Sequence, residues 1–353
     1  MFMTMLENVA KEQQPLIGKS MEDLEAFAQS LGQELFRGRQ LFDWIYRKNV
    51  YNFSEMSDLP HSFREKLFGI PLHPLRMVND HVSNSKQTQK FLFELESGEF
   101  IESVLMKDGK RVTVCLSTQV GCAVDCDFCA TGKMGFIQNL TTGEIVDQFL
   151  QLQNIIKTKI TNVVFMGMGE PFLNYENTML AAHLLHHPKG VNMGAWRITI
   201  STAGIIIKIK QFADDGHPFK LAVSLNGSNE KQRLITMPIT KAQSFSELLE
   251  ASQYYTFKSR KRVTFEYVLL AGVNDHRTDA EELKQILAPM NCKLNLIPYN
   301  EINGQYRRPT DTSINKFISS LNNAPFPVTV RWSKGQDIDA GCGQLATISD
   351  NHL

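Results

Sequence analysis

The sequence lacks an excess of charge of either sign, and it lacks a long apolar run. Lysine plus arginine and aspartate plus glutamate each number 37 in 353 residues, so the formal net charge is zero. A basic field over the whole molecule is therefore excluded, and any nucleic-acid contact must come from local basic patches. No stretch approaches the roughly 18 consecutive apolar residues that a membrane helix needs, which predicts a chain with no membrane segment.

The first residues also lack the basic stretch and apolar core of a signal peptide, and Glu7 and Glu12 are atypical of a transit peptide. We therefore expect a soluble, cytoplasmic protein, and a monomer. Hydrophobic residues make up 42% and charged residues 21%, which is ordinary for a globular protein and excludes wholesale disorder. A disulfide framework is not expected in such a chain, so its six cysteines indicate metal binding or redox chemistry.

The apolar period divides the chain into segments. Residues 20 to about 70 show helical spacing, and from residue 90 the period changes to two. Strands are predicted at 90–95 and 100–106, and Asp108-Gly109 is a strong hairpin signal. The predicted units are a helical accessory domain at 1–85, a linking β-hairpin at 86–110, a main domain at 111–345 and a tail at 346–353.

Strands and helices alternate regularly in the main domain. The predicted strands are 113–117, 162–166, 197–201, 220–224, 262–269, 293–298 and 328–331. The predicted helices are 142–157, 176–187, 205–215, 244–257, 278–289 and 312–322. Such alternation indicates a parallel sheet, either open or a barrel, with active-site residues at the carboxyl ends of its strands. Six or so units favour an α/β partial (β/α)6 barrel.

Three cysteines follow the first of these strands at C-x3-C-x2-C spacing: Cys122, Cys126 and Cys129. Ferredoxins hold a 4Fe-4S cluster with four cysteines, so a trio leaves one iron open. That open iron could bind the amino and carboxylate groups of S-adenosylmethionine (SAM), and the spacing resembles the signature of the radical SAM superfamily. Structural zinc is the alternative, but zinc usually takes two spaced pairs of ligands.

Other strand ends carry small polar groups that suit contacts to SAM. Glycines in Gly167-Met168-Gly169-Glu170-Pro171 would let a ligand approach the backbone, and Glu170 could accept from the ammonium of SAM. Alone, this segment would be read as an ordinary strand-to-helix turn. The remaining candidates are Ser201, Ser224, Leu225, Asn226 and Asn300. Each alone is more often a turn or helix cap, but all are predicted on one face.

The combination of motifs resembles the RlmN/Cfr family of radical SAM enzymes that methylate RNA adenine, from about residue 20 to 346. It comprises Arg37-Gly38-Arg39-Gln40, Cys115, Gln119-Val120-Gly121-Cys122, Gly167-Met168-Gly169-Glu170-Pro171 and Gly341-Cys342-Gly343-Gln344-Leu345. Two positions depart from the pattern: Asn226-Gly227 stands where many members have His-Ala, and Gly341 where alanine is usual.

The resemblance implies a 4Fe-4S cluster, two SAM molecules per turnover and an electron donor such as flavodoxin. One SAM would methylate Cys342, and a radical from the second would activate that methyl group for addition to adenine. Glu102 would then accept a proton from the covalent RNA adduct. Cys115 would release the product by forming a transient disulfide with Cys342. Without the resemblance, Cys115 would be read as a buried hydrophobe and Glu102 as a surface charge.

The resemblance also implies the substrate. RlmN-type enzymes act on carbon 2 of an adenosine in 23S ribosomal RNA, and many also act on transfer RNA. Cfr-type enzymes act on carbon 8. Pro171 and the Phe36-Arg37-Gly38-Arg39-Gln40-Leu41 segment favour the RlmN type. A radical SAM enzyme with a substrate other than RNA, and a zinc protein that binds RNA without catalysis, remain alternatives.

Overall fold

The amino-terminal part of the chain is helical, as predicted. The protein is described from a computed structural model that covers residues 14–156 and 158–347. Helix α1 is Met21–Ser30, α2 is Leu35–Phe42, which continues into a π-helical segment at Asp43–Lys48, and α3 is His61–Lys66; a short 3-10 helix spans Phe53–Glu55. Ser20 and Asp23 form a capping box that begins α1. A Cβ atom on Gly38 would lie 2.3 Å from the Cα atom of Glu25, so glycine lets α1 and α2 pack closely.

Four antiparallel strands follow. They are β1 (Leu75–Val82), β2 (Thr88–Leu95), β3 (Phe100–Asp108) and β4 (Arg111–Cys115). The turn between β3 and β4 lies at Asp108-Gly109, where the hairpin signal was found. Strand β1 was not predicted, because every residue in it after Leu75 is exposed and its sequence therefore shows no apolar alternation. The division at residue 85 stays a prediction, and β1 lies on its amino-terminal side while pairing with β2.

The segment 111–345, predicted as the main domain, contains all seven predicted parallel strands and all six predicted helices. After β4 the strands are β5 (Gln119–Gly121), β6 (Phe136–Asn139), β7 (Asn162–Phe165), β8 (Ile198–Thr202), β9 (Lys220–Ser224), β10 (Val263–Leu269), β11 (Cys292–Pro298) and β12 (Val328–Val330). The helices are α4 (Ala130–Lys133), α5 (Thr142–Ile155), α6 (Tyr175–His186), α7 (Ile206–Asp214), α8 (Glu230–Thr236), α9 (Phe245–Ser259), α10 (Arg277–Leu287) and α11 (Asp311–Ser320). Short 3-10 helices lie at Pro171–Asn174, Ala195–Arg197, Pro238–Lys241 and Gln336–Ile338.

The sheet is an open barrel. Its order is β1-β2-β3-β4-β7-β8-β9-β10-β11-β12, and pairing is parallel from β4 onward. Strands β1 and β12 form its two edges, so the sheet does not close, which confirms the partial α/β barrel. Strands β5 and β6 form a separate hairpin that was not predicted. The predicted helix at 142–157 ends at Ile155; residue 157 and the tail residues 348–353 lie outside the described residues.

Parallel pairing brings the carboxyl ends of seven strands to one edge of the sheet. A second apolar cluster, separate from the main core, lies at this edge, and we name it the mouth cluster. It consists of Val124, Phe128, Ala203, Met237, Val268, Leu270, Ile297, Tyr299 and Tyr306. Among the described residues, no helix is both long enough and apolar enough to cross a membrane.

Candidate active site

The cysteine motif forms a loop at the carboxyl end of β4. Cys122, Cys126 and Cys129 are each half-buried, and all three pack against the mouth cluster. The loop is held by backbone hydrogen bonds: the Cys122 amide donates to the Gly135 carbonyl at 2.8 Å, and the Cys129 amide to the Cys126 carbonyl at 3.0 Å. Burial raises the pKa of the Cys122 thiol to about 12. Three half-buried thiols therefore lie on one loop beside the mouth cluster, and their binding of a metal centre stays a prediction.

The donor set of this loop fits an iron–sulfur cluster. Within residues 14–156 and 158–347, no three Cys, His, Asp or Glu side chains converge closely enough to hold a single ion. A cluster needs no such convergence, because each thiolate binds a different iron. Soft thiolate ligands suit iron–sulfur clusters, and the apolar packing beside them would exclude water.

The glycine turn after β7 packs against the segment that leads into the cysteine loop. A Cβ atom on Gly167 would lie 2.6 Å from Ser117 Oγ, and one on Gly169 would lie 2.5 Å from Gln119 Cβ. Gly169 also has a φ of +97°. The Met168 carbonyl accepts from the Thr118 amide at 2.8 Å. These glycines are therefore required for close packing of two loops, and the binding of SAM by Gly169 stays a prediction.

Glu170 is buried, with 3% of its surface exposed. Its Oε1 accepts from the Phe172 amide at 3.0 Å and its Oε2 from the Ala203 amide at 2.6 Å. Burial raises the pKa of this carboxyl group from its usual 4.5 to about 7, and the two backbone donors oppose that shift. Glu170 thus joins the end of β7 to the end of β8, and its predicted contact with the SAM ammonium would be additional to these bonds.

The raised pKa of Glu170 predicts a pH dependence of stability. The folded state binds this proton more tightly than the unfolded state, so the unfolding free energy falls as pH rises from below 4.5 through 7. The full fall in unfolding free energy from this one group is about 3 kcal/mol. We expect the cluster-free Glu170→Gln variant to lack this fall in unfolding free energy between about pH 5 and pH 8. Urea denaturation at a series of pH values measures it. Glu176→Gln, which changes an exposed carboxyl group on α6, is the control and should keep the pH dependence of wild type. If the unfolding free energies of wild type and Glu170→Gln changed with pH in the same way, the raised pKa of Glu170 would be contradicted.

The other predicted strand-end residues lie at the same edge of the sheet. Ser201 Oγ donates to the Phe165 carbonyl at 2.6 Å. The Ser224 and Leu225 carbonyls each accept from the Arg233 guanidinium at 3.2 Å. Asn226 adopts the left-handed conformation, and its Oδ1 accepts from the Val268 amide at 2.9 Å. The structure brings these residues together as predicted, and their contacts with SAM stay predictions.

Asn300 holds the loop that carries Cys342. Its Nδ2 donates to the Cys342 carbonyl at 3.0 Å, and its Oδ1 accepts from Gln336 Nε2 at 2.8 Å. The Gly343 carbonyl accepts from the Ala130 amide at 2.7 Å, directly after Cys129. A Cβ atom on Gly341 would lie 2.6 Å from Asn300 Cγ, so glycine permits the close contact at this departure from the family pattern. The Cys342 loop is therefore docked on the cysteine motif.

Cys115 and Cys342 differ in exposure. Cys115 is buried at the end of β4, whereas Cys342 is exposed, and both are thiols in the structure. Burial raises the pKa of Cys115 to about 12, and the positive charge of Arg331 opposes the shift. Arg331 follows β12 and reaches across the open barrel to Met106 Sδ at 3.4 Å and Met166 Sδ at 3.7 Å. A disulfide between Cys115 and Cys342 is not present and stays a proposal.

Glu102 lies on β3 and lines a cleft of about 1160 Å³ beside this loop. It is 6% exposed, and its carboxylate contacts Lys90 Nζ at 2.9 Å and the Ala346 amide at 3.0 Å. Burial raises the pKa of Glu102, and Lys90 opposes the shift. The far wall of the cleft includes Arg307. The buried carboxylate therefore faces a space large enough for a nucleobase.

Sequence reasoning missed two cations at this site. Glu102 on β3 pairs with Leu92 on β2, and Lys90 lies two residues before Leu92 on the same face of the sheet. Lys90 is therefore a diagonal cross-strand neighbour of Glu102. The register of the two predicted strands would have found this pair. Arg331 ends the last predicted strand, so the expectation that functional residues lie at strand ends would have found it. Cys292 is buried on β11, away from this edge, and has no role in the site.

Comparisons with known proteins agree with this geometry. Residues 116–283 match the radical SAM superfamily, and residues 14–70 match the ribosomal RNA large subunit methyltransferase N-terminal domain. The probable dual-specificity RNA methyltransferase RlmN of Thermotoga sp. (strain RQ2) is 45% identical over 333 residues, which cover 94% of this chain and 96% of the relative. The protein of the same name from Synechocystis sp. is 44% identical, with 94% of each chain covered. A crystal structure of a radical SAM methyltransferase from Sphaerobacter thermophilus superposes with a TM-score of 0.91 at 42% identity, covering 94% of this chain and 99% of that one.

Proposed function

The chain belongs to the RlmN family of radical SAM RNA methyltransferases, and we propose that it methylates carbon 2 of an adenosine in 23S ribosomal RNA. We propose the adenosine next to the anticodon of transfer RNAs as a second target. The names of the relatives describe dual-specificity RNA methyltransferases, which supports two kinds of RNA target, and the match of residues 14–70 to a domain of ribosomal RNA large subunit methyltransferases supports ribosomal RNA as one of them. The amino-terminal helical domain would then contact RNA.

The observation that carries the proposal is the docking of the Cys342 loop on the cysteine motif. Hydrogen bonds from Ala130 and Asn300 hold the carbonyls of Gly343 and Cys342. Cys342 is an exposed residue, but burial of its sulfur raises the pKa of the thiol to about 11, and the thiol lies near enough to Arg331 and Cys129 to feel their charges. A thiol in that position is accessible to a methyl donor bound beside Cys122, Cys126 and Cys129. Those three cysteines would hold a 4Fe-4S cluster, which with SAM supplies radical chemistry.

The roles proposed for the chain's own residues are those that the family resemblance implies, and the positions of these residues support them. Cys342 would carry the methyl group on its sulfur and present it to the cleft. Glu102 would take a proton from the RNA adduct, because its carboxylate lines that cleft beside Ala346. Cys115 would attack the Cys342 sulfur, forming a disulfide as the carbon–sulfur bond to the product breaks. The reducing cytoplasm, where we expect the protein as a monomer, would return that disulfide to thiols.

The position of the new methyl group tests the proposal. We expect the anaerobically reconstituted protein, with SAM and an electron donor such as flavodoxin, to convert adenosine in 23S ribosomal RNA to 2-methyladenosine. Digestion of the RNA and mass spectrometry against 2-methyl and 8-methyl standards measures this. An 8-methyl product would replace the proposal with a Cfr-type activity. A protein that takes up zinc and no iron would exclude both.

A further inference from the structure

Arg233 is a completely buried cation on α8. It is 0% exposed, and its guanidinium bonds only to neutral groups: the carbonyls of Ala203, Ser224 and Leu225, and Met237 Sδ at 3.1 Å. Its Nε atom is buried without a hydrogen-bond partner. A buried charge is normally paired, because its removal from water costs several kcal/mol.

No carboxylate in the described part of the chain forms an ion pair with this guanidinium. Glu230 on the same helix accepts from the Phe245 amide at 2.6 Å, and the buried Glu170 accepts from the amides of Phe172 and Ala203. An arginine guanidinium stays protonated in proteins, so the side chain is charged at neutral pH. The buried guanidinium of Arg233 therefore has no ion-pair partner among the described residues.

The cysteine motif lies beside this charge. Cys126 packs against the mouth cluster, and Arg233 donates hydrogen bonds to two members of that cluster, Met237 and Ala203. Two contacts hold α8 in place: the Thr236 carbonyl accepts from the Asp127 amide at 2.9 Å, and the helix approaches Gly227 so closely that a Cβ atom there would lie 2.6 Å from the Arg233 amide nitrogen. Arg233 therefore lies in the layer of side chains on which the central cysteine of the motif packs.

We propose that Arg233 is a positioning residue whose charge balances the thiolate-held cluster and raises its reduction potential. This inference rests on the proposed function, since it requires the cluster. Reduction adds one negative charge to the cluster, and a fixed cation in a medium of low dielectric constant stabilises the reduced form more than the oxidised form. Loss of the cation should therefore make the cluster harder to reduce.

Two variants separate charge from hydrogen bonding. Arg233→Gln keeps an amide donor for the carbonyls but removes the charge, and Arg233→Lys keeps the charge. In the reconstituted full chain, we expect Arg233→Gln to disfavour reduction at least tenfold, which is 59 mV for a one-electron couple. Arg233→Lys should stay within threefold of wild type. Lys231→Met, which removes an exposed charge from the same helix, should also stay within threefold because water screens it. A redox titration followed by electron paramagnetic resonance measures the midpoint potential.

A second measurement covers the case in which Arg233→Gln holds little cluster. Thermal unfolding is followed with and without the cluster, and the gain in Tm on loading is compared between variants. Lost carbonyl bonds weaken both states equally, so they cancel in this gain, whereas lost charge balance reduces it. We expect a smaller gain for Arg233→Gln than for Arg233→Lys. Equal gains and equal potentials would overturn the inference while leaving the proposed function intact. A wild-type chain that binds no iron would instead overturn the proposed function.

Discussion

The Cys115→Ala variant is expected to accumulate a covalent complex between the protein and its RNA substrate, joined through the Cys342 sulfur. In the proposed reaction, Cys115 is the thiol that attacks this sulfur, and without it the carbon–sulfur bond has no nucleophile to break it. Product release should fall by orders of magnitude, because alanine has no group that can replace a thiolate. Denaturing gel electrophoresis of reactions with labelled RNA would show the complex as a slowly migrating band.

Cys292→Ala is the matched control for that experiment. Cys292 is also a buried cysteine at a strand position, but it lies at the start of β11 and outside the site. It should lose a similar amount of packing and form no covalent complex. The double variant Cys115→Ala/Cys342→Ala should also form none. Release of normally methylated RNA by Cys115→Ala would remove Cys115 from the mechanism.

The parallel part of the fold could be predicted because its strands, except β12, are largely buried. Such strands are short apolar runs, and the helices between them have polar and apolar positions at helical spacing. Strand β1 could not be predicted, because it is an edge strand whose side chains are exposed after Leu75. The β5–β6 hairpin was also missed. It is short, and its pairing depends on tertiary contacts around Gly135 rather than on an apolar pattern.

The candidate site also contains residues that the sequence could predict and residues that it could not. Residues that act through reactive chemistry could be found from their spacing, as with Cys122, Cys126 and Cys129. Residues that act through position could not. Arg233 is an ordinary basic residue in the sequence, and only the packing of α8 places it beside the cysteine motif. Local sequence cannot predict which cation will be buried beside which thiol.

The Glu102→Gln variant is expected to lose 10²- to 10⁴-fold in turnover, the usual contribution of a general base. Glutamine preserves the size of the side chain and can still accept from the Ala346 amide, but it cannot take a proton. The loss should appear in kcat while the protein still methylates Cys342, because Glu102 acts after the RNA adduct forms. Single-turnover assays with labelled SAM would separate these steps. Glu96→Gln, on the exposed turn between β2 and β3, should retain wild-type activity.

The pH profile distinguishes a base from a structural residue. Glu102 must be ionised to accept a proton, so activity should rise with pH through its pKa, which burial raises above the usual value. Lys90 opposes that shift from 2.9 Å, so Lys90→Met should move the acid limb of the profile to higher pH, while Lys90→Arg should move it little. If the role of Lys90 is to tune the ionisation of Glu102, its loss should leave the rate at high pH close to that of wild type. A rate that falls equally at every pH would make the pair a structural link between β2 and β3 rather than a tuned base.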